Sequence, residues 1–149
     1  KDRCARVSAA IEEFPYFCLS DFERKRTAGY TYTADTLRLL REEYQDTEFY
    51  FIVGADSIHD IEKWYHPEYV LQAVTFLAAD RESEEQKRSL DTQIRYLEQK
   101  YGAKIRRLHC MEMDVASAVI RERIASGEPV KGMIPDAVYR YIKQHGLYC

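Results

Sequence analysis

Residues 49–57 read Phe49-Tyr50-Phe51-Ile52-Val53-Gly54-Ala55-Asp56-Ser57. The first five are a continuous apolar run of strand length, rich in aromatic and β-branched side chains, which suits a strand buried on both faces. Gly54 ends the run sharply, and Asp56 and Ser57 are both residues that cap helices well. Beyond the turn, Ile58, Ile61 and Tyr65 recur at helical spacing, and Val74-Thr75-Phe76-Leu77-Ala78-Ala79 reads as the next buried strand. Strand, helix and strand in that order are the beginning of a parallel sheet.

The pattern extends in both directions. Upstream, Cys4, Val7, Ile11 and Phe14 mark an amphipathic helix stopped by Pro15, and Tyr16 to Leu19 reads as a short strand. A further helix starts near Thr33, whose hydroxyl can cap it, with Leu37, Leu40 and Tyr44 on one face. Downstream, Leu90, Ile94, Leu97 and Tyr101 form the apolar stripe of a long polar helix closed by Gly102. Lys104 to Leu108 is a strand candidate, and Ser117 opens a helix that holds Ile120 and Ile124 and ends at Gly127. Pro135 stands where a first helical residue belongs, ahead of Val138 and Ile142, and Gly146 closes the last helix. These elements predict a single α/β domain over residues 1–149, an open, mostly parallel sheet with helices on both faces.

Composition narrows the function classes. The chain has 149 residues, 22 Lys+Arg against 25 Asp+Glu, 46% hydrophobic and 13% aromatic residues. That is enough apolar material for a packed core, and the net charge of −3 lacks the basic excess of a protein that binds nucleic acid through its backbone. No apolar run approaches the length of a membrane span, and no signal-peptide core follows the first residues. A cytoplasmic protein with neither nucleic-acid nor membrane partner is expected. Cys4, Cys18, Cys110 and Cys149 are scattered, with no metal-ligand spacing, so free thiols are expected, with Cys4 and Cys18 as small buried hydrophobes.

In a parallel α/β sheet, ligands bind outside the carboxyl ends of the strands. Three places qualify. At Gly54-Ala55-Asp56-Ser57 the glycine lets a ligand approach the backbone and the Asp56 carboxylate suits a ribose diol; an ordinary helix cap is the alternative. In Lys63-Trp64-Tyr65-His66-Pro67, the sole tryptophan offers a flat surface for an aromatic ring, or is a packing residue. At Asp114 to Arg121, a helix start with small residues, Ser117 and Arg121 suit an anion, against a plain capped helix with a solvated arginine. No nucleophile-and-base pair is recognisable.

Taken in order, the segments resemble the nicotinate-nucleotide adenylyltransferases, members of the HxGH nucleotidyltransferase superfamily. Thr31-Tyr32-Thr33-Ala34-Asp35-Thr36-Leu37 is similar to the family's Ser-Tyr-Thr-x-Asp-Thr-Leu, and Phe51 to Asp56 to its Phe-Ile-x-Gly-Ala-Asp. Lys63-Trp64-Tyr65, the strand-end Ala79-Asp80-Arg81 and the tail from Ile134 to Tyr148 follow as they do in the family. The resemblance implies a Rossmann-like nucleotidyltransferase fold and adenylyl transfer from ATP to nicotinate mononucleotide in NAD biosynthesis, with Mg2+ on the ATP phosphates. It assigns Trp64 and Tyr65 to the pyridine ring and Thr31, Tyr32 and Thr33 to the nicotinate carboxylate. Gly54 and Asp56 fall to nucleotide ribose, Arg81 to the nucleotide, and Ser117 and Arg121 to the ATP phosphates. A homo-oligomer is compatible with it.

Two departures qualify these expectations. The family's Ile-Ser-Ser-Thr-x-Ile-Arg reads Val115-Ala116-Ser117-Ala118-Val119-Ile120-Arg121, so two hydroxyls become methyl groups. The Gly-x-Phe-Asp-Pro-x-His-x-Gly-His loop, with its strand and helix, is not among the 149 residues. The expectation is that the natural protein carries this first strand–helix unit upstream, that its histidines stabilise the transferring phosphate, and that no catalytic residue lies in the chain given. A degenerate, non-catalytic nucleotide-binding domain and a transferase for another acceptor, such as nicotinamide mononucleotide or phosphopantetheine, are the alternatives.

Overall fold

The computed structural model describes residues 2–24, 31–79, 84–110 and 115–148. In chain order the elements are α1 (Asp2–Ile11), α2 (Thr33–Glu43), β1 (Tyr50–Gly54), α3 (Ala55–Asp60), a 3-10 turn (Ile61–Lys63), α4 (Pro67–Ala73), β2 (Thr75–Ala79), α5 (Glu84–Tyr101), β3 (Lys104–Leu108), α6 (Ser117–Ser126) and α7 (Asp136–Gln144). They fall into two compact units, one of Lys1–Arg26 with Met113–Cys149 and the other of Thr27–Glu112.

The unit of residues 27–112 holds the sheet. Its strands are all parallel in the order β1-β2-β3, with Phe51, Phe76 and Ile105 in one register row and Ile52, Leu77 and Arg106 in the next. Helices α3 and α4 carry the chain from β1 to β2, and α5 carries it from β2 to β3, as parallel pairing requires. Alternate residues point to opposite faces, so Phe51, Val53, Phe76, Ala78 and Ile105 share the face that packs with Ile58, Ile61, Val70, Leu71, Leu90 and Leu97. Full burial of side chains of this size contributes roughly 1.5–3 kcal/mol each. Arg107 donates from Nη1 to both carboxylate oxygens of Asp91 at 3.1 and 3.3 Å, which ties β3 to α5.

The unit of residues 1–26 and 113–149 is helical. Ile124, Val130, Val138 and Ile142 form its core, with Ala9, Ala10, Ile120 and Leu147 packed against it. Polar contacts join its two ends: the Tyr141 hydroxyl donates to Asp2 at 3.0 Å, and Arg6 donates to the Tyr148 hydroxyl. The hydrogen bond from Tyr141 is the main cause holding the Asp2 carboxyl below its usual range.

Several expectations are corrected here. The run 49–53 is not buried on both faces: β1 is an edge strand of the described sheet, and Tyr50 and Ile52 are 47% and 64% exposed. An apolar run fixes the strand but not its neighbours, and the doubly buried position belongs to β2. Tyr16–Leu19 is not a strand. Pro15 lies in a turn closed by Phe17 N–H donating to Phe14 O at 3.0 Å, and the Phe14, Tyr16 and Phe17 rings cluster with one another. Thr33 is the first helical residue of α2 and not its cap, which is Tyr32. Neither Asp56 nor Ser57 caps α3, because Gly54 occupies the cap position. The helical spacing stops before Tyr65, since α3 tightens into the 3-10 turn after Asp60. Pro67 opens α4, and Pro135 caps α7, one residue short of its first turn. Cys18 is exposed and Cys4 half-buried; both are free thiols, as is Cys110.

Candidate functional site

Thr31, Tyr32 and Thr33 meet Lys63, Trp64 and Tyr65 around a cavity of about 230 Å³. One wall is the start of α2, which Ala34 and Leu37 anchor in the core at 0% and 6% exposure. The Tyr32 carbonyl accepts from the N–H groups of Asp35 and Thr36, both at 3.1 Å. The cap residue Tyr32 makes no side-chain cap bond, and the positive end of the helix dipole lies at this wall of the cavity.

The opposite wall is the end of the 3-10 turn. Ile61 is fully buried and holds the turn on the core, and Trp64 N–H closes it by donating to Ile61 O at 3.0 Å. Trp64 is half-buried, packed near Phe51 with ring centroids 6.3 Å apart, while still lining the cavity. Tyr65 reaches across and stacks on Tyr32, centroids 4.4 Å apart and planes 30° apart, which joins the two walls. His66 then takes a left-handed φ of 49°, turning the chain into α4.

Behind the turn, one oxygen of Glu62 accepts from Lys100 Nζ at 2.7 Å, Tyr101 OH at 2.7 Å and Tyr96 OH at 3.2 Å. These bonds, the Lys100 one first, hold the Glu62 carboxyl below its usual range. The same carboxylate pushes the Lys100 ammonium and the Tyr101 phenol up. The cluster clamps the 3-10 turn, and with it Lys63 and Trp64, to the C-terminal turn of α5.

Five of the expected site residues, Thr31, Tyr32, Thr33, Trp64 and Tyr65, are therefore brought together. Gly54 and Asp56 are not in the lining; they sit at the carboxyl end of β1 and in the first turn of α3, both exposed. Gly54 has φ −74° and ψ 159°, and a Cβ built on it meets no heavy atom within 4 Å. Neither its backbone angles nor its packing among the described residues demands a glycine. Ser117 and Arg121 belong to the other unit, on the first turns of α6, and both are exposed. Ala116 is the cap of that helix and makes no side-chain cap bond. Arg81 and Asp114 lie outside the described residues. Lys63 lines the cavity but escapes a reading by residue type, because a lysine before a tryptophan looks like solvated surface. Its signal is position: it is the last residue of the turn that delivers Trp64.

Among the described residues no group of three or more His, Cys, Asp or Glu converges to hold a metal ion, and no helix is long and apolar enough to cross a membrane.

An all-parallel sheet whose strands are joined by helices makes this an open, Rossmann-like α/β domain. The same fold is found in the Plasmodium falciparum nicotinic acid mononucleotide adenylyltransferase complexed with APC (TM-score 0.73, 19% identity, covering 99% of this chain and 74% of that one). It recurs in the same enzyme complexed with NaAD (TM-score 0.71, 19% identity, 99% and 73% covered). No protein-family model matches the chain. A curated relative from Lachnoclostridium phytofermentans, named "Probable nicotinate-nucleotide adenylyltransferase", is 42% identical over 142 residues, 95% of this chain and 70% of its own length. The chain belongs to the nicotinate-nucleotide adenylyltransferase family.

Proposed function

We propose that the chain serves adenylyl transfer from ATP to nicotinate mononucleotide, yielding nicotinate adenine dinucleotide and pyrophosphate in NAD biosynthesis. The observation that carries this reading is the cavity between the Thr31–Thr33 segment and Lys63-Trp64-Tyr65, which combines aromatic walls with the N-terminal end of helix α2. A pyridine carboxylate needs both: a flat surface for the ring and N–H groups with a positive dipole end for the anion. Trp64, with Tyr65 beside it, holds the ring, and the start of α2 reads the carboxylate. The family membership, and a structural neighbour complexed with NaAD, agree with this reading.

For the nucleotide, Gly54 and Asp56 lie against ribose in this reading, with the Asp56 carboxylate accepting from a diol. Arg81 contacts the nucleotide, and Ser117, Arg121 and the first-turn N–H groups of α6 hold phosphate oxygens. In the reaction an acceptor phosphate oxygen attacks the α-phosphorus of ATP in line, the bond to the β-phosphate oxygen breaks, and pyrophosphate leaves. Such a displacement needs positioning and charge stabilisation more than covalent catalysis. The residues of this chain position; the family's His-x-Gly-His pair is not among them. Magnesium, in this proposal, arrives on the triphosphate, consistent with its habit of binding through substrate phosphates and few protein ligands. Among the described residues no group of His, Cys, Asp or Glu forms a protein cage for the ion.

A second reading, a non-catalytic nucleotide-binding domain, is favoured by one observation: Ala116, the α6 cap, provides no hydroxyl at the proposed phosphate site. Pyrophosphate release by the full-length protein separates the two. Sustained release dependent on both ATP and nicotinate mononucleotide is expected, and nucleotide binding without turnover overturns the enzyme reading.

A further inference from the structure

Resting on the acceptor reading of the cavity, we propose that Lys63 is the cation that discriminates acid from amide acceptors, and that Asp60 restrains it. Six of the described residues line the cavity, and Lys63 is the charged one among those six. The others, three of them aromatic, can stack on a pyridine ring or hydrogen-bond its substituent, but a neutral carboxamide satisfies stacking and most hydrogen bonding as well as a carboxylate does. A fixed positive charge, added to the partial charge at the start of α2, distinguishes the two.

The local geometry suits that role. Lys63 ends the 3-10 turn, immediately before Trp64, so its backbone is fixed by the buried Ile61 and by the Glu62 cluster behind the turn. Its long stem can follow the cavity wall while the ammonium stays solvated. The ammonium is held by Asp60, three residues earlier, at 2.5 Å. Both partners are largely exposed, at 78% for Lys63 and 58% for Asp60, and exposed pairs of this kind are weak. An arriving carboxylate can therefore compete with Asp60 for the ammonium; a carboxamide cannot. Asp60 lowers the affinity for the acid and holds the ammonium until an acceptor carboxylate replaces it.

Isothermal titration of the full-length protein with nicotinate mononucleotide and with nicotinamide mononucleotide tests this. Lys63→Gln should weaken the acid about tenfold and the amide less than about twofold, while Lys63→Arg keeps the preference for the acid. Asp60→Asn should act in the opposite direction, tightening the acid about two- to threefold with no change for the amide. An equal loss for both ligands in Lys63→Gln would mean that the lysine serves the phosphate they share, and overturns the proposal. So does a wild-type protein that binds the two equally. Trp64→Leu is the control for the cavity itself, and it should weaken both mononucleotides. If it weakens them while Lys63→Gln changes neither, this proposal alone falls; if Trp64→Leu leaves both unchanged, the acceptor reading falls with it.

Discussion

Replacing Gly54 with alanine separates a glycine kept for the fold from one kept for a ligand. Four of the described glycines, Gly102, Gly127, Gly132 and Gly146, have φ between +58° and +79°, where an alanine is strained. Gly54 has φ −74° and ψ 159°, an extended conformation that any residue adopts, with no heavy atom within 4 Å of an added Cβ. Alanine there should cost the native state nothing and should restrict the unfolded chain, a gain of about 0.4–1 kcal/mol. With a urea m-value of about 2 kcal/mol/M, the unfolding midpoint should rise by about 0.2–0.5 M. The proposed nucleotide meets the new methyl group at close range, and overpacking of that kind costs about 1–3 kcal/mol. ATP affinity should therefore drop roughly 5- to 150-fold. Urea unfolding and equilibrium binding on the same variant give both numbers. A midpoint that falls would show that the fold needs this glycine, and unchanged ATP affinity would remove Gly54 from the nucleotide site; either result refutes the reasoning.

Two more outcomes follow from the described geometry. Ala116 caps α6 with φ −84° and ψ 133°, the extended geometry a serine cap uses, and makes no side-chain bond, so Ala116→Ser should stabilise the protein by about 1 kcal/mol in thermal or urea unfolding; no gain would mean that the helix start is satisfied otherwise. The Glu62 carboxyl is held below its usual range by Lys100 and Tyr101, so its contribution is present above its unfolded pKa of about 4.3 and is lost as pH falls through the depressed folded value. Between pH 7 and pH 3 the wild type should lose more stability than Glu62→Gln, measured by urea midpoints at each pH, and parallel pH profiles would contradict the assignment.

How much of this was legible in the sequence depends on what each signal encodes. Val74–Ala79 reads correctly as a buried strand because β2 has a described neighbour on each side, and Gly102 and Gly127 stop their helices because both adopt the left-handed geometry expected of them. Phe49–Val53 is equally apolar and lies at the edge of the described sheet, since hydrophobicity records what a strand can bury and not which strands lie beside it. Helix α4 escapes because its seven residues, which start at Pro67, are too few for periodicity to stand out. At the candidate site, residue type alone leaves Trp64 divided between packing and stacking, and the structure gives it both a core contact and a place in the cavity wall. Lys63 and Tyr65 gain their positions from a 3-10 turn that the helical spacing of Ile58 and Ile61 conceals.

The claim on which the rest depends is that the cavity between the Thr31–Thr33 segment and Lys63-Trp64-Tyr65 takes a pyridine mononucleotide. Trp64 is the sole tryptophan, so its fluorescence reports on that cavity without interference. Titration with nicotinate mononucleotide should quench the emission saturably, and less strongly with the amide. An unchanged spectrum at a concentration where calorimetry shows the ligand bound would place the acceptor elsewhere and contradict the account.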